Sequence, residues 1–433
     1  MPTVQKPTGL YRAYAMLSAV ILPFVARARV NKLRRADVTV HRAHEILGNA
    51  TERRPAGTLI WFHAASIGES LSVLSLIAAM GRARPDARFL ITSGTPTSAK
   101  LIAERMPPRC QHQFAPLDAT GPLKRFLKNW RPDAVVLVES ELWPNTLVTC
   151  CKAGLPVALV NARLSEKSLM GWARRPKTAR FLLQDFALVL TQTTAMAQSL
   201  IKIGTPADRT FKGVDLKSLS PALPVDKQSL QEVQTALNNR PVWAACSTHP
   251  GEEAGVLKAH VELLKTHPDL CLILAPRHPE RGAEVATLIT EHNLSYSQRS
   301  AGALPNAQVY LADTLGELGV WYEIAPFAFI GGSLIPVGGH NPFEAAHANT
   351  AVISGIYVAN FAESYGILEA SGGARLVKTA QGLHDVAKAW LDHTHDLIKA
   401  QKATGAVIQQ QSSQLDDIAT QLIAALELEE NND

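Results

Sequence analysis

Residues 58–70 read TLIWFHAASIGES, six mostly apolar residues that lead into a polar turn and a helix from about Leu71. Continuous hydrophobicity over so short a run is typical of a strand buried on both faces, as in a parallel sheet covered by helices. Nine further apolar runs alternate with amphipathic stretches at 88–92, 134–139, 156–161, 187–191, 242–247, 270–275, 327–330, 351–354 and 374–377. The alternation predicts an α/β protein with doubly wound parallel sheets.

The composition narrows the class of protein. The chain has 433 residues, of which 46% are hydrophobic and 19% charged, so it suits two domains and is neither disordered nor fibrous. The net charge of +5 is too small for a dedicated nucleic-acid-binding protein unless it is concentrated in one place. Five cysteines without a CxxC pair argue against a disulfide scaffold and favour a reducing compartment.

The alternation breaks at residues 212–226, which contain Ser and Pro and follow no clear period. This segment is therefore predicted to link two domains, 55–211 and 227–398. Residues 1–54 are assigned to a membrane anchor with a basic segment, and 399–433 to a C-terminal helix with an acidic tail.

The basic charge concentrates after an apolar N-terminal stretch. Residues 13–26 read AYAMLSAVILPFVA, and about 14 helical residues reach roughly 21 Å, short of the ~30 Å hydrocarbon layer. The basic side chains that follow would face anionic lipid headgroups: Arg27, Arg29, Lys32, Arg34 and Arg35. We expect an anchor that barely spans the bilayer or lies in one leaflet. A signal peptide fits less well, because the charge follows the stretch and no small-residue cleavage site precedes it. A buried N-terminal helix is the plain alternative.

Polar residues follow the predicted strands, where ligands of open parallel sheets bind. Ser66 and Glu69 fit the S-x-x-E pattern of a capping box, and Glu69 also stands where a helix start would keep a carboxylate ionised and ready to accept a proton. The spacing leaves both interpretations open. Glu139 and Glu141 follow another buried run, where carboxylates are costly unless they are bonded or paired. One solvated glutamate and one helix cap would explain them equally, and Arg163 could pair with them or with a phosphate.

The second half repeats the pattern with STHPGEE at 247–253, PRHPER at 276–281 and GGS followed by GGHNPFE within 331–344. Gly331 and Gly332 would let backbone N–H groups face an anion, although a tight turn explains them too. Asn341, Pro342 and Glu344 suit the N-cap, N1 and N3 positions of a helix, whose start could present Glu344 to a ribose.

Several other site types are disfavoured. His340, Glu344 and His347 have a spacing that would suit a metal site, but no HExxH-type pair supports one. The sequence contains no Walker A loop, no GxGxxG after the first strand and no GxSxG motif, which removes P-loop hydrolases, Rossmann dehydrogenases and α/β-hydrolases as leading candidates. The residue pattern therefore predicts two α/β domains facing a cleft, with carboxylates on the first and an anion site on the second.

Seven motifs occur in the order found in Kdo transferases: WFHAASIGES, ESELWPN, NARLS, STHPGEE, APRHPER, DTLGEL and GGSLIPVGGHNPFEAA. The chain resembles this family of membrane-anchored glycosyltransferases, which attach 3-deoxy-manno-octulosonic acid (Kdo) to lipid A precursor, over nearly its whole length. The resemblance implies a GT-B architecture of two facing Rossmann-like domains. It also implies lipid IVA as acceptor on the first domain, CMP-Kdo as donor on the second, and a place on the cytoplasmic side of the inner membrane.

The resemblance also implies roles for single residues. Glu69 matches the catalytic base, and Glu139 and Lys217 match positions assigned to transition-state stabilisation. The family usually reads G-S/N-L-K-F-D at the linker, whereas residues 214–219 here read VDLKSL and keep the lysine with different neighbours. The residues that match CMP-binding segments are Pro276, Arg277, Leu315, Gly316, Glu317, Asn341, Pro342, Phe343 and Glu344.

The implied chemistry is inverting transfer, with ionised Glu69 accepting the proton of the acceptor hydroxyl. Backbone N–H groups, a helix start and Arg277 would stabilise the departing CMP, so the prediction is an enzyme without a metal or other cofactor and without a nucleic-acid partner. Two alternatives stay open: another GT-B nucleotide-sugar enzyme such as a UDP-sugar transferase or epimerase, and a non-catalytic membrane-bound protein that binds nucleotide sugar or lipid.

Overall fold

The computed structural model describes residues 6–216, 219 and 222–428, with only the backbone of Ile67. It divides into two compact units. Unit 1 comprises the chain up to Leu219 together with the residues from Ser413 onward, and unit 2 runs from Ser220 to Ser412. Among the predicted site residues, Lys217 lies outside the described residues.

Unit 1 is built on a seven-stranded parallel sheet with strand order β3-β2-β1-β4-β5-β6-β7. Its strands are β1 (Leu59–His63), β2 (Arg88–Ser93), β3 (Cys110–Phe114), β4 (Ala134–Val138), β5 (Val157–Ala162), β6 (Leu188–Thr191) and β7 (Thr210–Lys212). Its helices are α1 (Gly9–Arg34), α2 (Val40–Ala43), α3 (Ile67–Ala83), α4 (Pro96–Glu104), α5 (Thr120–Trp130), α6 (Pro144–Lys152), α7 (Glu166–Ala173), α8 (Pro176–Leu183) and α9 (Thr194–Ile203). Alternate residues of β1 enter different clusters, Ile60 and Phe62 on one face and Leu59 and Trp61 on the other, so the sheet is covered on both sides.

Unit 2 repeats the plan with strand order β10-β11-β9-β8-β12-β13-β14, again all parallel. Its strands are β8 (Val242–Thr248), β9 (Cys271–Pro276), β10 (Tyr296–Gln298), β11 (Val309–Leu311), β12 (Phe327–Ile330), β13 (Ala351–Gly355) and β14 (Ala374–Val377). Its helices are α10 (Lys227–Leu237), α11 (Glu253–Leu264), α12 (Gly282–Glu291), α13 (Leu318–Ile324), α14 (Phe343–Ala346), α15 (Ala362–Ser371) and α16 (Ala380–Asp392), followed by α17 (Thr394–Ala425). The predicted α/β class with doubly wound parallel sheets is confirmed.

All ten apolar runs form strands, and their ends differ from the predicted ends by at most one residue. The structure adds β3, β7, β10 and β11, which the sequence did not indicate. Three of these lie at the edges of the sheets, where a strand has one neighbour and is not required to be apolar on both faces. The helix after β1 starts at Ile67, four residues before the predicted start, because the Ser66 hydroxyl caps it by accepting from Glu69 N.

Helix α1 is longer than the apolar stretch that suggested it. It continues through Pro23 and the basic residues to Arg34, so its 26 residues extend about 39 Å. Among the described residues it is the one helix long and apolar enough to cross a membrane. Its first turns are held against the rest of unit 1, because Tyr14 Oη donates to Asp118 at 2.8 Å. Its large exposed side chains are Leu10, Met16, Leu17, Val20, Ile21, Phe24 and Val25.

Helix α17 contributes to both units. Its first part belongs to unit 2, while its residues from Ser413 onward belong to unit 1. There Leu415, Ile418, Ala419 and Leu422 join the apolar cluster that also contains Ile60 and Phe62 of β1. The core of unit 1 therefore includes the C-terminal part of the chain.

Truncating this contact should destabilise unit 1. Leu422 is fully buried, so Leu422→Ala is expected to cost about 2–5 kcal/mol of unfolding free energy. Urea denaturation followed by tryptophan fluorescence should show a lower midpoint than for Gln421→Ala, which changes an exposed neighbour on the same helix. Equal midpoints for the two variants would contradict the packing described here.

Candidate active site

Three glutamates gather at the carboxyl ends of β1 and β4, which are neighbours in the first sheet. Glu69 lies in the first turn of α3, and Glu139 and Glu141 follow β4 directly. The carboxylates of Glu139 and Glu141 both raise the pKa of Glu69, because their negative charges repel its ionised form. The structure thus brings together the carboxylates that the sequence singled out in the first domain.

Glu69 is both a helix cap and a buried acid. Its Oε2 accepts from Ala65 N and its Oε1 from the Ser66 hydroxyl, each at 2.8 Å. Burial raises its pKa above the ordinary value, the two hydrogen bonds oppose this, and the neighbouring glutamates add to the increase. The capping and proton-accepting interpretations therefore coexist, because each oxygen keeps a second lone pair after accepting its bond. The sequence predicted that the helix start would keep the Glu69 carboxylate ionised. Burial acts against this, because it raises the pKa of Glu69 and favours the neutral acid.

Glu141 differs because it has a partner that can be cationic. Its Oε2 lies 3.2 Å from His63 Nε2 and also accepts from the indole of Trp143. Burial alone would raise the pKa of Glu141, but the contacts with His63 and Trp143 hold it below the ordinary value. His63 Nδ1 is in turn 3.0 Å from the hydroxyl of Thr92 on β2. Glu141 is thus held ionised beside Glu69.

Glu139 ends β4 in the left-handed region, with φ of 55°. Asn161, in the adjacent strand β5, has the same φ and donates from Nδ2 to Glu139 Oε1 at 3.4 Å. Asn161 Oδ1 accepts from Leu216 N at 3.2 Å, one residue before Lys217, and from Gln192 Nε2 at 3.1 Å. A non-glycine residue in the left-handed region costs roughly 1–3 kcal/mol and persists only where the surroundings fix it.

Arg163, which the sequence offered as a partner for these carboxylates or for a phosphate, is exposed.

In unit 2 the predicted CMP-binding residues lie at or beyond the carboxyl ends of β9, β11 and β12. Pro276 ends β9 and is buried, while Arg277 is exposed and its N–H donates to Thr248 O at 3.0 Å. Leu315 is 80% exposed and precedes Gly316 in a loop after β11. Glu317 already has partners, because Arg299 donates to it at 2.6 Å and the Thr314 hydroxyl also donates to it.

The segment from Asn341 to Glu344 forms the predicted helix start with a shift of one residue. Helix α14 begins at Phe343 rather than Pro342, and Asn341 Oδ1 accepts from Phe343 N at 3.1 Å. Phe343 is fully buried, whereas Glu344 is half-buried. The phenyl ring therefore fixes the segment and leaves Asn341 and Glu344 nearer the surface.

The backbone amides of the glycine loop already hold an anion, the carboxylate of Glu252. Its Oε2 accepts from Gly332 N at 2.6 Å and from His249 N at 3.0 Å. Its Oε1 accepts from Ser333 N and Leu334 N at 2.9 and 2.8 Å. The expectation that these amides face an outside anion is wrong at Gly332, because an internal carboxylate binds there. At Gly331 a Cβ would lie 2.4 Å from Ser247 O, so close packing explains that glycine.

The rings of His249 and His340 meet edge to edge beside this loop. Their rings are nearly parallel, with centroids 5.1 Å apart, and their Nε2 atoms are 2.8 Å apart. Among the residues that the structure describes, no group of three or more His, Cys, Asp or Glu side chains is placed to hold a metal ion. The spacing of His340, Glu344 and His347 therefore does not produce a metal site here.

Comparison with known proteins identifies the family. A family model described as 3-deoxy-D-manno-octulosonic-acid transferase matches residues 41–219. The probable mitochondrial 3-deoxy-D-manno-octulosonic acid transferase of Arabidopsis thaliana is 34% identical over 81% of this chain and 81% of its own length. The chain belongs to the 3-deoxy-D-manno-octulosonic acid (Kdo) transferase family of glycosyltransferases. The Rickettsia felis member is 38% identical over 69% of this chain, and the aligned part spans 64% of that protein.

A solved structure shares the architecture of this Kdo transferase family member. UDP-GlcNAc 2-epimerase from Neisseria meningitidis aligns over 85% of this chain and 100% of its own, with a TM-score of 0.51 and 13% identity. At that identity the likeness concerns the fold alone. The predicted architecture of two Rossmann-like domains, as in GT-B enzymes, is confirmed.

Sequence reasoning missed several residues that shape the Kdo transferase site. His63 and His249 lie inside quoted motifs, so their residue type and position after a strand were available signals. Asn161 and Gln192 have no such signal, because their contacts depend on which strands are neighbours. Glu252 was visible only as one of two adjacent glutamates at a helix start.

Glu252 should be essential for the stability of unit 2. In Glu252→Gln the side-chain NH₂ would face backbone N–H donors, and each buried donor left without a partner costs about 1–3 kcal/mol. We expect the melting temperature to fall by several degrees in differential scanning calorimetry, relative to wild type and to Glu280→Gln, which changes an exposed glutamate of the same unit. Wild-type melting of the Glu252 variant would show that the four hydrogen bonds are dispensable.

Proposed function

We propose that the protein transfers Kdo from CMP-Kdo to a lipid A precursor, lipid IVA, on the cytoplasmic side of the inner membrane. Glu69 carries the proposal. A half-exposed glutamate would need no special environment, whereas Glu69 is buried at a strand end with two further carboxylates near it. Such an environment suits a group whose task is to take up a proton.

Glu69 acts as the general base in this proposal. Burial and like charges raise its proton affinity, so its ionised form accepts the proton of the acceptor hydroxyl while the oxygen attacks the anomeric carbon. The attack displaces CMP from the opposite face and inverts the anomeric configuration. Because the pKa is raised, the reactive ionised form is lost as the pH falls through a value above the ordinary one for glutamate.

Glu139 and Lys217 are assigned to the transition state on the strength of the family motifs. The contacts of Asn161 support this assignment, because its side chain bonds both Glu139 and Leu216, the residue before Lys217. The same amide thus fixes the carboxylate and the backbone that leads to the lysine.

The donor residues lie on unit 2. Arg277 supplies a permanent positive charge for the CMP phosphate, and the segment 341–344 supplies the start of α14. We propose that these groups stabilise the leaving nucleotide without a divalent ion. Since the amide of Gly332 is bound to Glu252, more of this task falls to Arg277 than the sequence suggested.

Helix α1 supports the proposed membrane location. Phe24, Val20 and Met16 are 78%, 69% and 68% exposed, which is unfavourable in water and favourable among lipid chains. Lys32 and Arg34 in the last turn suit anionic headgroups. An acceptor whose acyl chains stay in the bilayer is then close to the enzyme.

The base is tested with Glu69→Gln. Glutamine keeps the size of the side chain, and its one carbonyl oxygen can still accept from Ala65 N, while its NH₂ faces the Ser66 hydroxyl. Because it cannot accept the proton, turnover of CMP-Kdo with lipid IVA should fall about 10²–10⁴-fold. CMP affinity, measured by calorimetry, should stay within about twofold. In wild type the acid limb of the rate profile should lie above the ordinary glutamate pKa. The assay contains EDTA, because no divalent ion is expected to take part.

Glu104→Gln, which changes an exposed glutamate of unit 1, serves as the matched control and should retain wild-type turnover. Turnover by Glu69→Gln within tenfold of wild type would remove Glu69 as the base.

The anchor is tested with the double variant Val20→Glu, Phe24→Glu and with deletion of residues 1–28. Two carboxylates on the apolar face should shift the protein from the membrane to the soluble fraction. The control Ile356→Glu, Ile398→Glu places the same charges at exposed apolar positions of unit 2 and should leave fractionation unchanged. If both anchor variants stay with the membrane, another surface must bind lipid.

A further inference from the structure

Two histidines to which the family motifs assign no role, His249 and His340, approach each other beside the proposed donor site. His249 follows β8 and His340 follows β12, two strands that are neighbours in the second sheet. The separation of 2.8 Å between their Nε2 atoms is that of a hydrogen bond, so one ring donates its proton and the other accepts it.

The proton count of such a pair is limited by geometry. With both rings neutral, one Nε2 carries the shared proton and the facing Nε2 has the lone pair. One further proton can enter on Nδ1 of the donating ring without breaking the contact, which makes that ring an imidazolium. A second would place N–H against N–H at 2.8 Å. The pair therefore takes up one proton and no more while it stays intact.

The surroundings hold the free pair neutral. Burial lowers the pKa of His340 to about 4, and Arg277, His249 and His278 act in the same direction. Burial also lowers the pKa of His249, with Arg277 and His278 lowering it further and Glu252 and Glu253 opposing.

The two nearby carboxylates are already occupied. Glu252 accepts four backbone N–H bonds, and Glu253 is paired with Arg281 at 2.6 Å. At His249 the charge of Glu252 still opposes that of the positive groups, whereas Arg277, His249 and His278 all lower the pKa of His340. An anion placed here would favour the single further proton that the pair can take up.

The backbone fixes the pair in place. The N–H of His249 is bound to Glu252, and the hydroxyl of Tyr365 donates to His340 O at 2.9 Å. A Cβ at Gly332 would lie 3.2 Å from the His340 ring and 3.4 Å from the His249 ring, so the rings rest against a bare backbone. A site held this rigidly suits the recognition of a ligand atom.

We propose that His249 and His340, together with Arg277, form an anion subsite that takes up one proton when an anionic oxygen of the donor binds. The oxygen belongs to the nucleotide phosphate or to the sugar carboxylate. The proton comes from solvent, enters on Nδ1 of the donating ring and returns to solvent when the product leaves. The inference rests on the proposed function for the identity of the donor.

Calorimetric titration of the full chain in detergent tests the subsite. CMP binding is measured at pH 7 in two buffers of different ionisation enthalpy, which yields the number of protons taken up. Wild type should take up between half a proton and one proton more than His340→Gln. Glutamine places an N–H near the former Nε2 but cannot gain a charge. The phosphate itself, with a pKa near 6, releases protons beside a cation, so the difference between variants isolates the pair.

A second readout is the pH dependence of CMP affinity in wild type. The Kd for CMP should weaken with rising pH, by up to about tenfold per unit, between the pKa values of the free and bound pair. His249→Gln should abolish the extra uptake as His340→Gln does, whereas His395→Gln, an exposed histidine at the start of α17, should not. Titrations with cytidine and with free Kdo separate the sources, because cytidine lacks the phosphate and Kdo carries only the carboxylate.

The outcomes are distinguishable. Wild type that binds CMP with no more proton uptake than both glutamine variants overturns the subsite and leaves the proposed function standing. Wild type that binds neither CMP nor Kdo overturns both. Uptake with Kdo but not with CMP assigns the pair to the carboxylate, and the reverse assigns it to the phosphate.

Discussion

A carboxylate removed from water must be matched by hydrogen-bond donors or positive charge, and this constraint organises both units. Five glutamates are buried in the part of the chain that the structure describes: Glu45, Glu69, Glu141, Glu252 and Glu253. Glu45 is bonded by Phe114 N and by Arg42, and Glu253 by Arg281. Glu252 has four amides, and Glu141 has His63 and Trp143. The kind of partner decides whether each carboxylate is structural or reactive.

The carboxylate of Glu69 is stabilised by local hydrogen bonds. Its two hydrogen bonds come from neutral donors close in sequence, and within the described ranges no basic side chain lies at ion-pair distance from it. The neighbouring Glu139 and Glu141 add negative charge instead. Burial and these like charges raise the pKa of Glu69 and so favour its protonated form. In the proposed mechanism the basicity of Glu69 follows from its burial beside like charges. Glu141, Glu252 and Glu253 are instead stabilised by the donors or cations around them.

The range of a contact along the chain explains what the sequence could predict. The Ser66 and Glu69 cap is local, so its pattern was readable, and apolar runs such as LIWFH marked the central strands. The edge strands CQHQF, TFK and YSQ are short or polar and gave no such signal. His249 and His340 are 91 residues apart and meet only because β8 and β12 are adjacent. The glycine loop also depends on a contact that is distant along the chain. The sequence GGS indicates backbone amides that can bind an anion, but it does not reveal that the anion is the carboxylate of Glu252.

Burial shifts the pKa values at the two sites in opposite directions, and both shifts favour the neutral form of the group. It raises the pKa of Glu69 and lowers that of His340, so each group is pushed toward its neutral form. A group held in this way responds strongly to any charge brought beside it by a ligand. For Glu69 the nearby charges are negative and favour proton uptake. For His340 they are positive, and an arriving anion reverses their effect. In the proposed reaction a proton moves toward Glu69 and a negative nucleotide departs beside Arg277. The charges around each of the two sites therefore match the role proposed for that site.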